Sequence, residues 1–200
     1  MPTSTVANSS AATKAEIQAV ALDPTTSNVP GRHFCALRLG VGTFSLASGS
    51  SNVLYPFDTI PTMPDGVTPM DTESGAAADL PNSRILTPSW AQFVKITCHA
   101  AFPQQNVGSG YCSFHMFRDT GNGVNGPTAE LHYHVIGPYL ATAITGVVTT
   151  LFGTSGLIPV QRNTTPGFYE AWTMYVSQTS GGTVALAALD NWMSVEFFAQ

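Results

Sequence analysis

Two aromatic, alternating runs near the end of the chain constrain the fold more than any other feature. Residues 167–182 read GFYEAWTMYVSQTSGG, and residues 191–198 read NWMSVEFF. Both runs alternate between two sets of side chains and are rich in aromatic and β-branched residues, which is typical of strands packed on both faces. We therefore predict that the chain ends in two core strands and not in a tail.

Short extended segments of the same kind continue through most of the chain. From residue 32 onward they are separated by clusters of Gly, Pro, Asn and Asp, and they include no convincing helix of ten or more residues. Such spacing is typical of an all-β sandwich or barrel. The predicted strands are residues 33–39, 43–47, 53–58, 84–86, 92–102, 111–118, 130–136, 142–152, 168–178, 183–187 and 191–198.

A long loop over about 59–83 interrupts this series. It contains four prolines and several acidic residues. Loops of this length inside a compact domain are usually functional or covered by a neighbour. Its acids lack the regular spacing of a dedicated calcium loop, so we interpret it as a solvated surface loop.

The first part of the chain differs from the rest in composition. Ser, Thr, Ala and Asn dominate residues 1–31, which we predict to form an arm outside a single domain of residues 32–200. Within the arm, Thr13 and Glu16 have the spacing of a capping box ahead of a narrow apolar stripe. A helix this short is marginal alone in water, so it would fold stably only when docked on a partner, and a disordered leader is the alternative for the isolated protein. The predicted docking residues are Ile17, Val20 and Ala21.

The distribution of charged and apolar residues excludes several classes of protein. Seven basic residues stand singly against 12 acidic ones, whereas nucleic-acid binding needs a clustered basic face. No apolar run approaches the ~20 residues of a membrane span, and the first thirty residues lack a secretion signal, so we expect a soluble protein made in the cytoplasm. Only 10% of the residues are charged, which indicates an uncharged surface or one covered by partner subunits.

Three cysteines cannot form a closed disulfide framework, and the chain has no Cys-x-x-Cys pair. Cys98 and Cys112 flank a predicted turn, where a disulfide is conceivable. Burial as small apolar side chains is the preferred interpretation for all three cysteines.

Four phrases of the sequence carry a family resemblance. Residues 90–102 begin with an aromatic residue and continue as a run of alternating apolar residues. Residues 111–119 end in a charged residue, shortly before a glycine turn. Residues 167–182 place Tyr and Glu shortly after a Gly, and residues 192–198 form the last strand. In these phrases the chain resembles the C1q/TNF-like jelly-roll family, particularly the trimeric heads of bacteriophage fibres and capsid-surface proteins. The resemblance covers residues 33–200.

The resemblance implies an antiparallel jelly-roll β-sandwich that assembles as a tight trimer. The inner surfaces of such trimers are aromatic, small and nearly uncharged, which agrees with this composition. Packing around a threefold axis hides apolar surface that a lone sandwich would expose. The interface residues implied for this chain are Tyr169, Trp172, Tyr175 and Trp192.

Alternation divides the penultimate strand into two faces but does not say which one meets the core. One set contains Glu170 and Trp172, and the other contains Tyr169 and Tyr175. The strand departs from the family at Phe168, where Asp is usual, and Thr173-Met174 predicts a bulge. Such a bulge would place Tyr169 in the core and Trp172 on the trimer axis.

The histidines provide the one constellation that suggests a metal. On a strand, the imidazoles of His132 and His134 point to the same side, and His99 and His115 lie on strands that could approach them. Cupin enzymes, another jelly-roll group, start their metal site with His-x-His, but they also need a carboxylate that residues 135–140 do not supply. We therefore expect surface or interface histidines, with no metal and no cofactor.

The leading functional hypothesis is a non-enzymatic structural protein of a virion, most simply of a bacteriophage. In it a homotrimeric jelly-roll head decorates the capsid or forms a spike or fibre head, and the arm docks it on the major capsid protein or another virion protein. One alternative is a head whose tip loops bind a host-surface glycan or receptor through Tyr and Trp stacking. The others are a cupin-like metal enzyme and the shell-forming capsid protein of a small RNA virus, although the nearly neutral arm would be a poor genome binder.

Overall fold

A computed structural model describes most of the domain. The described ranges are 33–73, 77–103, 110–121, 131–142, 148–161, 169–187 and 191–199, and for 131–142 they concern the backbone. The predicted arm, with its capped helix and the docking residues Ile17, Val20 and Ala21, lies outside these ranges.

Within the described ranges the chain forms thirteen β-strands and one short 3-10 helix, Leu80–Asn82. The strands are β1 (Phe34–Arg38), β2 (Thr43–Leu46), β3 (Ser50–Leu54), β4 (Ala78–Asp79), β5 (Arg84–Leu86), β6 (Phe93–Phe102), β7 (Tyr111–Gly121), β8 (Leu131–Thr142), β9 (Thr149–Thr154), β10 (Ile158–Pro159), β11 (Tyr169–Gln178), β12 (Val184–Ala187) and β13 (Trp192–Phe198).

The strands pair antiparallel in two large sheets that form a jelly-roll sandwich. The first sheet has the order β1-β13-β6, and both β9 and β10 pair with the far side of β6. The second sheet has the order β4-β5-β11-β7-β8, and β3 also pairs with β11. Strands β2 and β12 form a small separate ladder. This architecture confirms the all-β antiparallel sandwich predicted from the sequence.

Alternation along the strands places the core between the two sheets. In β6 every second residue is buried, and in β13 the same period buries three residues, because successive side chains of a strand point to opposite faces. The second sheet contributes alternate residues of β7 and β11 to the same cluster. Core residues from these four strands include Val94, Ile96, Cys98, Ala100, Phe102, Phe114, Met116, Trp172, Met174, Val176, Met193, Val195 and Phe197.

Strand β11 settles which face of the penultimate strand meets the core. Its register with β7 runs without a shift from Tyr169 opposite Gly121 to Gln178 opposite Cys112, so the bulge predicted at Thr173-Met174 is wrong. Plain alternation suffices to bury the indole of Trp172, whose Nε1 donates to Thr87 Oγ1 at 2.8 Å.

The segment predicted as one long loop over 59–83 is tied to the edge of β1. Ala36 N donates to Met70 O at 2.8 Å, and Arg38 N donates to Thr59 O at 2.9 Å. These bonds cover the outer edge of β1 with the protein's own backbone, which removes an open sheet edge. Between them, the bridge from Thr62 to Pro69 closes a hairpin that projects from the sheet, which we call the 62–69 hairpin.

A different polar side chain organises each end of the sandwich. At the base, where β1 begins and β13 finishes, Glu73 accepts hydrogen bonds from His33 Nδ1 at 2.9 Å and from Trp90 Nε1 at 3.1 Å. At the tip, the buried side chain of Gln178 donates to the carbonyls of Leu46 at 2.9 Å and Gly182 at 2.7 Å. Gln178 thereby holds together the turns that follow β2 and β11.

All three cysteines are buried and free, as predicted. Cys98 in β6 and Cys112 in β7 belong to facing sheets and do not form a disulfide. Burial raises the pKa of the Cys112 thiol to about 11 and raises the pKa of the Cys98 thiol well above its usual value. Burial, followed by the charge of Asp71, also raises the pKa of Cys35.

Candidate interaction surface

The outer face of the first sheet collects side chains from four strands in one register. Arg38 of β1 lies opposite Trp192 of β13, which lies opposite His99 of β6, and His99 in turn lies opposite Phe152 of β9. Residues directly opposite on antiparallel strands have Cβ atoms ~5 Å apart, so these side chains form a continuous line. We call Arg38, Trp192, His99 and Phe152 the aromatic row.

Two rings at the centre of the aromatic row are stacked on each other. The His99 and Trp192 ring centroids are 5.9 Å apart, and the planes meet at 12°. The Phe152 ring stands at 65° to Trp192 with centroids 6.4 Å apart, and its residue is 57% exposed. An exposed aromatic beside two further rings is characteristic of a surface that binds a partner.

The next two rows toward the base make this face almost neutral. Ser194, Thr97 and Thr154 form a line of hydroxyl groups, with the Thr97 and Thr154 oxygens 3.4 Å apart. In the following row Lys95 Nζ and Glu196 Oε1 face each other at 3.9 Å. The face thus presents small hydroxyls and a compensated ion pair beside the aromatic row.

Arg38 is the charge on this face that lacks a counter-ion among the described residues. Its Nε is buried and has no hydrogen-bond acceptor. A buried donor of a charged group is costly to leave unsatisfied. An acceptor on a covering partner could pair only with the part of the Arg38 guanidinium that its own chain leaves accessible, because the Nε is already buried.

Two further exposed apolar side chains lie on either side of Phe152 along the chain, one before β9 and one after it. Val148 just before this strand is 52% exposed, and Leu157 beyond its end is 61% exposed. Together with Phe152 they account for half of the six exposed large hydrophobic residues in the described part of the chain. We call Val148, Phe152 and Leu157 the β9 stripe.

The interface residues implied by the family resemblance are distributed over three layers. Trp192 lies on the outer face of the first sheet, and Trp172 lies in the core with no exposed surface. Tyr169 and Tyr175 lie on the outer face of the second sheet, where Tyr175 packs edge-on against Phe117 at 4.9 Å. Trp172 therefore has nothing to offer a partner, and one interface cannot hold the other three unless both sheets take part.

Two of the candidate metal ligands, His99 and His115, are separated by the core. His99 lies on the outer face of the first sheet and His115 on the outer face of the second, with the core between them. The backbones of His132 and His134 in β8 pair with Asp119 and Phe117, and the side chains of both histidines lie outside the described part. Among the side chains that are described, no group of three His, Cys, Asp or Glu gathers as a metal would require.

One buried carboxyl group lies at the base end of the core. Glu170 accepts hydrogen bonds from Gln161 N at 2.8 Å and from Thr87 Oγ1 at 3.2 Å, and its Oε2 lies 3.5 Å from Arg118 Nε. Burial nevertheless raises the pKa of Glu170 above its usual value, against these stabilising contacts. We interpret this hydrogen-bonded arrangement as a structural cluster.

Sequence reasoning missed Arg38 and Phe152. The run from Thr149 to Thr154 contains the signal for Phe152, because Leu151 packs on the core and the residue after it must point outward. No comparable local signal marks Arg38, whose neighbours on the face come from distant segments. In the described part of the chain, no helix has the length and apolar character needed to cross a membrane.

A scan against protein families and a search of curated proteins find no match. The similar solved structures include one of infectious bursal disease virus, Gt strain, at 11% identity and a TM-score of 0.46, covering 86% of this chain and 34% of that chain. They also include Eiger TNF from S. frugiperda, at 8% identity and a TM-score of 0.46. That match covers 84% of this chain and 93% of the Eiger chain. A third is the infectious bursal disease virus VP2 subviral particle, at 12% identity and a TM-score of 0.45. That match covers 88% of this chain and 36% of the VP2 chain. The chain spans about a third of the length of these viral chains.

Proposed function

We propose that the chain is a non-enzymatic structural protein of a virion, in which the jelly-roll domain forms a homotrimer and the N-terminal arm attaches it to the major capsid protein or another virion protein. The observation that carries the proposal is the neutral outer face of the first sheet, with its aromatic row and the adjoining β9 stripe. A monomer would leave this surface in water.

Burial against another copy is the simplest way to cover such a surface. Exposed apolar side chains that are grouped on one face of a soluble protein point to a protein–protein contact, whereas scattered single ones do not. Strands in this sheet are about 4.8 Å apart and rise about 3.4 Å per residue, so the face of four strands provides a large part of the ~800 Å² that a stable interface buries per partner. The β9 stripe adds to that area at the edge of the sheet.

The ends of the sandwich suit a head that is held at its base. Strand β1 begins at the base, beside the cluster of His33, Glu73 and Trp90, so the arm joins the domain there. The tip, organised by Gln178, would then point away from the particle. Capsid decoration and a spike or fibre head fit this arrangement equally, and both place the protein in the virion after synthesis in the host cytoplasm.

The described tip gives little support to the alternative of glycan recognition by Tyr and Trp stacking. Its exposed aromatic side chain is that of Tyr111, at the start of β7. Trp90 lies at the base, Trp172 in the core and Trp192 on the face of the first sheet. The surface that resembles a binding platform is therefore the one we assign to self-association.

The solution mass of the full chain tests the proposal. We expect a trimer by light scattering, and we expect Phe152→Glu to shift the mass toward a monomer because it places a carboxylate in the contact. Val41→Glu is the matched control, since Val41 is 84% exposed and lies in the loop after β1. A monomeric wild-type chain with native near-ultraviolet circular dichroism would overturn self-association.

A further inference from the structure

The 62–69 hairpin is built to keep its shape without support from the rest of the domain. Met63 N donates to Thr68 O at 2.7 Å, and Gly66 N donates to Met63 O at 2.8 Å. Inside the turn, the Asp65 carboxylate accepts from the backbone N–H groups of Val67 and Thr68, each at 2.9 Å. These bonds fix the turn in advance, which lowers the entropy cost of binding through it.

This ordered hairpin presents an apolar side chain and a carboxylate to solvent. Residues 64–69 are all exposed, and Val67 is 81% exposed at the turn. The hydrogen bonds from Thr68 and Val67 lower the pKa of Asp65, so its carboxylate is ionised at neutral pH. A fixed projection that carries one apolar group and one negative charge fits a surface with an apolar platform beside an unpaired cation.

The aromatic row offers aromatic rings beside Arg38, which is unpaired among the described residues, and so matches the hairpin. Arg38 has no acceptor for its Nε, and it lies in register with Trp192, whose ring stacks on His99. We propose that the 62–69 hairpin of one copy docks on the aromatic row of the next copy, with Val67 against the Trp192 and His99 rings and the Asp65 carboxylate on the Arg38 guanidinium. This inference rests on the proposed self-association and specifies its contact.

The spacings on the two surfaces agree. Arg38 and Trp192 lie on adjacent strands, about 4.8 Å apart. Asp65 and Val67 are two residues apart, which separates their Cα atoms by at most ~7 Å. One hairpin can therefore reach both positions. Hairpin and row are different surfaces of the chain, so the contact is heterologous, and it gives a closed trimer when successive copies are related by a rotation of 120°.

Charge reversal in the full-length chain tests the contact, with the trimer dissociation constant measured by sedimentation equilibrium. We expect Arg38→Glu and Asp65→Arg each to weaken association at least about tenfold, and the double variant to recover part of the loss, because close charge pairs across interfaces are strongly coupled whereas the turn bonds to the Asp65 carboxylate are not restored by arginine. Asp65→Asn is a second variant that removes the charge and keeps one side-chain oxygen to accept from Val67 N and Thr68 N, while the oxygen that accepts from Thr68 Oγ1 becomes an NH₂ group. We expect it to weaken association as well.

Val67→Ser and Val41→Ser form a matched pair for the apolar part of the contact. Both residues are highly exposed valines in loops, and only Val67 lies in the hairpin. We expect Val67→Ser alone to weaken the trimer. The hairpin contact would be overturned if both charge reversals left the trimer dissociation constant unchanged. It would also be overturned if the double variant associated no more tightly than the more weakly associating single variant. Either result would leave self-association standing. A wild-type monomer would instead contradict the proposed function itself.

Discussion

Among single residues, Glu170 shows how the core tolerates a carboxyl group. Its residue is 3% exposed, and hydrogen bonds from Gln161 N and Thr87 Oγ1 satisfy its oxygens. Desolvation still outweighs these contacts and the nearby Arg118 charge, so the pKa of Glu170 is raised. Ionised Glu170 therefore reduces the free energy of unfolding, because the folded state binds the proton more tightly than the unfolded chain does.

The variant Glu170→Gln tests this account. A raised folded-state pKa means that the wild-type free energy of unfolding falls, relative to the variant, as pH rises through the shifted pKa. We expect Glu170→Gln to be at least as stable as wild type at pH 8, and wild type to gain on it as pH falls toward 5. Urea unfolding at several pH values measures the difference. A difference that does not vary with pH would contradict the assigned cause.

At the scale of elements, local alternation predicted most strands because it is written into consecutive residues. The predicted strands 92–102 and 168–178 differ by one residue from the observed β6 (Phe93–Phe102) and β11 (Tyr169–Gln178). Strand β3 (Ser50–Leu54) was predicted as 53–58. The buried aromatic residues Tyr55 and Phe57 prolong the alternation past the end of the ladder.

The candidate surface was less predictable because its residues come from segments that are distant in the sequence. Trp192 was among the predicted interface residues, and it does lie on the outer face of the first sheet. Its neighbours Arg38 and Phe152 come from β1 and β9, and only the register of four strands brings them together. The prediction placed Trp172 on the trimer axis through a bulge at Thr173-Met174, because alternation alone separates two faces without saying which one is inside.

The turn into β7 gives a prediction for one element. Gly110 has φ +92°, and a Cβ at this position would collide with the carbonyl of Thr179, which follows β11. Gly42 has φ +84° with open space around it. We expect Gly42→Ala to cost about 1 kcal/mol of stability from the left-handed backbone alone, and Gly110→Ala to cost clearly more. Urea unfolding of both variants measures this, and equal losses would exclude the steric contribution.

For the whole molecule, the division into arm and domain gives a separable prediction. Removal of residues 1–31 should leave the trimer mass unchanged, because the proposed contacts lie on the sheet, the β9 stripe and the 62–69 hairpin. The same truncation should abolish attachment to the particle, measured by co-sedimentation with particles that lack the protein. The full-length chain is the control. Undiminished attachment of the truncated protein would show that the arm does not dock it.

The burial of all three cysteines makes the domain a convenient carrier for site-specific conjugation. Thiolates react with maleimides, and Cys35, Cys98 and Cys112 are all buried and have raised pKa values. A cysteine introduced at Val41, which is 84% exposed, would be the one accessible thiol among the described residues. A dye, a biotin or a gold cluster coupled there would label the loop after β1 in a defined stoichiometry, without prior removal of the native cysteines.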